Sequence, residues 1–216
     1  MVIEKKIKVL NLYAGIGGNR KLWDNDKVEV TAVENIPEIA KIYKDFFPDD
    51  KVIVTDAHQY LLDHFEEFDF IWSSPPCPTH SKAKMPFMVS GQQDFVYPDM
   101  KLYEEIIFLK HFFKGKWVVE NVVSYYKPLI PPYWYKGHYY WSNFIIPQAK
   151  KNYFRGHDAS IETLQELKGF DVSSYKFISI DKKKLLRNCV EPKSGLFVFN
   201  CAFKERQEVL NGDFSC

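Results

Sequence analysis

Apolar residues fall along the chain in two alternating rhythms, and the alternation predicts an architecture. Residues 7–12, IKVLNL, are a nearly continuous apolar run, as expected of a strand buried on both faces. Residues 28–33, VEVTAV, repeat that signal, and the segment NIPEIAKIYKDFF then changes to helical spacing. Pro37 there suits a first helical turn, and Ile39, Ile42, Tyr43 and Phe46 share one face. Short strands follow at 51–54 and 68–72, separated by a short helix over 58–66. A helix over 99–113 carries Leu102, Ile106, Leu109 and Phe113 on one stripe and leads into a strand over 116–119. Such alternation predicts an α/β fold with a mostly parallel sheet and helices on both faces.

After Pro128 the rhythm changes. PLIPPYW reads as an irregular connector, HYYWSNFII as a hairpin or late strands, and 148–182 as polar and mixed. Residues 183–189 and 197–210 read as helical or strand–helix. The chain divides on this reading into 1–146, a catalytic body, 147–182, a short segment, and 183–216, which returns to the body.

The 216 residues, 46% apolar and 17% aromatic, suffice for one domain with a real core and exclude a disordered chain. No apolar run approaches the ~18 residues of a membrane span, and the N-terminus MVIEKKIKVL lacks a signal-peptide core, so a cytoplasmic protein is expected. The four cysteines show no CxxC spacing, and no metal site is expected. Net charge is only +1, but 149–157 and 182–187 are basic runs, each by itself more often a solvated face than a phosphate contact.

Chemistry gathers where the strands end. The first runs into LYAGIGGNRKLW, in which Gly15, Gly17 and Gly18 allow a tight turn before a helix N-terminus. The second ends in Glu34, where such folds hydrogen-bond a ribose. Asp56, after the third, adds a polar group at the same edge. The dinucleotide pattern GxGxxG fails because Arg20 stands where its third glycine would fall. These residues point to a nucleoside-bearing cofactor without saying which. The fourth strand ends in IWSSPPCPTHS, a stiff proline turn presenting Cys77, and the fifth in VVENV, with Glu120 and Asn121.

In this order the motifs resemble those of the DNA cytosine-C5 methyltransferases. LNLYAGIGG is similar to that family's S-adenosylmethionine turn, AVENIPEIAKIYKDFFP to its ribose acid and following helix, and SSPPCPTHS to its nucleophile loop. VVENV is similar to the glutamate motif and LLRNCVEPKSG to the closing segment. The resemblance implies a Rossmann-like, S-adenosylmethionine-dependent methyltransferase acting on cytosine in DNA. Cys77 is then the nucleophile, with Glu120 and Asn121 beside it. Tyr13, Ala14, Gly15, Gly17, Gly18, Glu34, Asn35, Ile36, Asp56, Ala57, Pro75 and Asn188 would hold the cofactor. Residues 79–98 would form a loop closing over a flipped base, with Ser81, Lys82, Lys84 and Gln92 facing DNA.

Three departures change what the resemblance implies. Pro78 replaces the glutamine that follows the family's cysteine. No arginine stands in YKGHYYWSNF, where the family reaches cytosine O2, leaving His138 or Lys136 as substitutes. The recognition segment is confined to 147–182, which implies a short target or a partner subunit that reads DNA. An RNA cytosine-C5 methyltransferase of the same fold and a catalytically silent DNA- or partner-binding module remain open alternatives.

Overall fold

The structure, a computed structural model, describes residues 5–82, 85–91, 94, 96–148, 159–175 and 181–204. Strand β1 (Ile7–Leu12) pairs in parallel with β2 (Val28–Val33), and β2 with β3 (Lys51–Ile53). On its other side β1 pairs with β4 (Phe70–Ser73), and β4 with β5 (Lys116–Val122), again in parallel. A hairpin of β6 (Tyr133–Tyr135) and β7 (His138–Ser142) completes the sheet, β7 running antiparallel to β5. The strand order is β3-β2-β1-β4-β5-β7-β6. It reverses between β1 and β4, and there such sheets open a crevice beyond the carboxyl ends of their strands. This is the mostly parallel α/β architecture that the apolar rhythm predicts, and the Rossmann-like fold that the resemblance implies.

Helix α1 (Pro37–Phe46) begins at its proline and buries Ile39, Ala40, Ile42 and Tyr43. Helix α2 (Ala57–His64) is capped by Asp56, whose carboxylate accepts the Gln59 N–H at 2.8 Å. A short helix, α3 (Met85–Val89), precedes α4 (Lys101–Phe112). Beyond the hairpin lie α5 (Ile161–Lys168), α6 (Lys182–Asn188) and α7 (Pro192–Ala202). Helix α5 stops at Gly169 in the left-handed region, φ +68°.

One sheet face packs Leu10, Leu12, Ile71 and Val119 against Leu61 of α2 and Leu102, Ile106 and Leu109 of α4. The other packs Val9, Val30, Phe70 and Trp72 against Val198, Phe199 and Ala202 of α7. Helices α1, α5 and α6 share a third cluster, built around Ile42, Phe170 and Leu186. Among the described residues no helix is long and apolar enough to cross a membrane.

Three expectations need correction. No helix follows the first glycine turn. Residues 13–23 run as successive turns, with the Arg20 N–H donating to Gly17 O and the Trp23 N–H to Arg20 O. Ile16 through Arg20 are all buried, so this segment has no polar face to offer solvent as an amphipathic helix would. Helix α7 begins at Pro192, five residues before the expected 197. Strand β5 runs on to Val122, which puts Glu120 and Asn121 inside the ladder, opposite Tyr140 and Tyr139. The basic run 182–187 lies in α6, where a helix was expected over 183–189, with Leu185 and Leu186 buried and Lys182 Nζ donating to Ser173 O at 3.0 Å.

Candidate active site

At the end of β1 the chain turns through Tyr13 at φ +54°. A side-chain-bearing residue adopts that conformation only where its surroundings hold it. Gly15 follows at the same φ, and a Cβ placed on it would meet nothing within 4 Å, so open space lies over this glycine. Its N–H donates to Glu34 Oε2 at 3.0 Å, and the Ile36 N–H donates to Oε1 at 3.1 Å. Burial pushes the Glu34 carboxyl up, while the N–H groups of Ile36, Gly15 and Asn35 pull it back down. An open glycine turn beside a buried carboxylate fits a ribose-bearing cofactor.

Gly18 serves a different neighbour. A Cβ there would lie 2.2 Å from the Val190 carbonyl oxygen and 2.4 Å from Cys189 Sγ, so this glycine admits the returning C-terminal segment. Asn188, exposed at the end of α6, immediately precedes the two residues that meet Gly18. Cys189 is buried and its thiol is pushed up to about 11 by that burial, which leaves it inert. Ala14 and Ala57 are buried, and Asn35 and Ile36 lie exposed just beyond Glu34. Asp56 Oδ1 accepts the Gln59 N–H at the α2 cap.

The turn after β4 is bound to the segment after β5. Asn121 Nδ2 donates to the Pro75 carbonyl at 3.0 Å, and the Asn121 Oδ1 accepts the Val122 N–H. The carbonyl of half-buried Cys77 accepts the N–H groups of His80 and Ser81 at 3.0 and 3.1 Å, forming a tight turn. Ser81 bridges to Ser124, the Lys82 N–H donates to Val123 O, and the Tyr125 N–H donates to His80 O. Cys77 is therefore presented from a loop stitched to the strand that carries Glu120.

Glu120 is 7% exposed, and its Oε1 lies 3.7 Å from Nε2 of His138. Lys136 instead pairs with Glu191 at 3.3 Å. Of the two substitutes for the missing arginine, His138 is the one brought to Glu120. Trp141 and Tyr140 are core residues, the Trp141 indole N–H donating to Ile130 O at 2.8 Å. Lys84, Gln92 and the basic run at 149–157 lie outside the described residues.

Sequence reasoning missed two groups. His80 is buried, with Nδ1 2.7 Å from the Tyr126 hydroxyl and Nε2 unpartnered among the described residues. Glu105, with no exposed surface, lies on α4 between Leu102 and Leu109. It accepts from the hydroxyls of Tyr13 and Ser73, and from His58. A carboxylate inside an apolar stripe was the signal that could have marked it. Among the described residues no group of three His, Cys, Asp or Glu is placed to hold a metal ion.

The family model for C-5 cytosine-specific DNA methylases matches residues 7–128, more than half of the chain. No curated protein matches. Among solved structures, a SAM-dependent methyltransferase from Agrobacterium tumefaciens is similar at 16% identity and TM-score 0.37, over 57% of this chain and 41% of that one. A DNMT2 variant from Spodoptera frugiperda is similar at 22% identity and TM-score 0.38, over 54% of this chain and 36% of that one. The Entamoeba histolytica methyltransferase EhMeth gives 15% identity and TM-score 0.35, over 55% and 39%. The chain thus spans less than half the length of these three.

Proposed function

The chain belongs to the C-5 cytosine-specific DNA methylase family, and we propose that it transfers a methyl group from S-adenosylmethionine to C5 of a cytosine in DNA. The observation that carries the reading is the hydrogen bond from Asn121 to the Pro75 carbonyl, which fastens the Cys77 loop to the strand bearing Glu120. Nucleophile and carboxylate then share one crevice at the switch point of the sheet. S-adenosylmethionine would be held at the open turn of Tyr13, Ala14 and Gly15, shaped by Gly17 and Gly18 packing on Phe47 and Val190, by Glu34, Asn35 and Ile36, and by Asp56, Ala57, Pro75 and Asn188. When bound it would supply an electrophilic methyl group.

The chain's own residues account for the rest. Cytosine C5 is too weak a nucleophile to accept a methyl group unaided. The Cys77 thiolate adds to C6, forming a C–S bond and moving the electron pair of the C5–C6 double bond toward C5. A free thiol has a pKa near ~8.5, so only a small fraction is thiolate at neutral pH and the site must favour that form. Glu120, held at the ring N3, stabilises the charge that grows as sulfur attacks. After methylation a base removes the C5 proton, the double bond reforms and Cys77 leaves as thiolate.

C6 lies inside the duplex stack, so the base has to be flipped out, at about a few kcal/mol. Ser81 and Lys82, directly beyond the Cys77 turn, stand at the rim where the displaced strand would pass. His138, within reach of Glu120, takes the place of the family's arginine toward the base. With so short a segment between the hairpin and α6, target reading is confined to a short site or shared with a partner subunit.

The test is transfer of labelled methyl from S-adenosylmethionine to unmethylated DNA by the native chain and by Cys77→Ala. We expect label in 5-methylcytosine, and at least about a thousandfold loss in the variant, as when a nucleophile is removed. Label in an exocyclic amine, or undiminished transfer by Cys77→Ala, would sink the mechanism. Label on tRNA but not DNA would move the same chemistry to RNA.

A further inference from the structure

A carboxyl group buried away from water costs free energy unless it is hydrogen-bonded. Glu105 meets that condition with three partners. Tyr13 Oη donates to Oε1 at 2.6 Å, His58 Nδ1 lies 3.1 Å from the same oxygen, and Ser73 Oγ donates to Oε2 at 2.6 Å. His58 Nε2 in turn lies 3.8 Å from Glu104 Oε2. Two of these partners belong to the two halves of the site. Tyr13 opens the glycine turn. Ser73 ends β4, four residues before Cys77, and pairs across the switch point with Leu12, which precedes Tyr13.

We infer that Glu105 is a positioning residue that sets the halves of the site against each other, holding the cofactor turn through Tyr13 and the base of the Cys77 loop through Ser73. The inference rests on the methyltransferase reading above. Tyr13 is the stronger arm. It occupies the left-handed region without being glycine, at φ +54°, and beside its packing on the apolar cluster under α2 and α4 its hydroxyl bond to Glu105 is the polar contact that restrains it. Released from that bond, Tyr13 can relax toward an ordinary conformation. The turn would then carry the Gly15 N–H away from Glu34. Ser73 is buried and its hydroxyl has the same carboxylate as partner, so its release loosens the strand end beneath Ser74 and Pro75.

A carboxylate can accept from both sides at once. The amide of glutamine offers one acceptor and one donor, so Glu105→Gln keeps the shape and weakens at least one arm. The experiment combines calorimetric binding of S-adenosylmethionine with steady-state methyl transfer to DNA. It compares the native chain with Glu105→Gln, Tyr13→Phe, Ser73→Ala and the Tyr13→Phe/Glu105→Gln double variant. Tyr13→Phe is expected to weaken cofactor binding about tenfold, the scale of a lost hydrogen bond to a charged group. Ser73→Ala should lower kcat about tenfold while cofactor affinity stays within about twofold. Glu105→Gln should show both effects, and adding Tyr13→Phe to it should cost less than about twofold more, because that arm is already cut.

Glu105→Gln matching the native chain in binding and kcat would overturn the inference. So would a Tyr13→Phe loss that adds in full to that of Glu105→Gln. If Glu105→Gln does not melt cooperatively, the two arms decide: equal effects of Tyr13→Phe and Ser73→Ala on both readouts refute separate positioning. A native chain that binds no S-adenosylmethionine would instead sink the methyltransferase reading, and this inference with it.

Discussion

Arg20 is buried at 3% exposure in the turn after β1, and its guanidinium grips Asp50 with two hydrogen bonds of 3.0 Å. Tyr43 adds its hydroxyl to Asp50 at 2.8 Å, and Arg20 Nη1 donates to Trp23 O. The position at which a dinucleotide fold would need a third glycine is thus filled by an ion pair that shapes the turn. Removing one member of a buried pair strands the other, at about 3–5 kcal/mol. Arg20→Leu is expected to lose that much in denaturant unfolding, and Arg20→Leu/Asp50→Leu to recover part of it. A single variant within about 1 kcal/mol of the native chain would show that the pair contributes little. At this scale the sequence was legible where one residue type has one use, as with Pro37 at its helix start. It was silent where partners meet only in space: nothing local to Arg20 announces Asp50, and nothing near Tyr13 announces Glu105.

At the scale of elements, the parallel strands and α1, α2 and α4 were legible because each carries its own period. The missing helix after β1 was not, because tertiary packing decides it. Helix α7 covers the sheet face over β1, with Trp23 stacked on Phe199 at a ring distance of 4.8 Å and its indole N–H directed to Gly195 O. Gly195 lets the two backbones meet: a Cβ there would lie 2.4 Å from Asn19 O and 2.5 Å from Asn19 Cα. Asn19 cannot yield easily, since its side chain is bonded to Asn11 in the sheet at 2.8 Å. Glycine to alanine inside a helix ordinarily stabilises by up to about 1 kcal/mol. Here the expected sign is reversed, because overpacking against backbone costs about 1–3 kcal/mol. Gly195→Ala should lower the unfolding midpoint, and a raised midpoint would mean that α7 docks more loosely than the packing indicates.

For the molecule as a whole, two histidines pull the pH dependence of folding in opposite directions. The hydrogen bond to Glu105 raises His58, opposed by burial and by Lys101 and aided by Glu104. Its contribution is fully present below the unfolded value of about 6.5 and is lost as pH rises through the higher folded value. Burial lowers His80, opposed by Asp99, and its ring is bonded to Tyr126. The unfolded chain therefore takes up a proton at His80 first, so stability falls as pH drops from about 6.5 through the lower folded value. Ordinary carboxylates titrate mainly below this window, near about 4. Together the two histidines place a stability maximum close to the unfolded histidine value. Thermal midpoints between about pH 5 and pH 9 should show it, with His58→Gln flattening the alkaline limb and His80→Phe the acid limb. An alkaline limb that survives His58→Gln unchanged would show that the contact between His58 and Glu105 contributes little to folding. The hydroxyls of Tyr13 and Ser73 would then be the partners that hold the buried carboxylate in place.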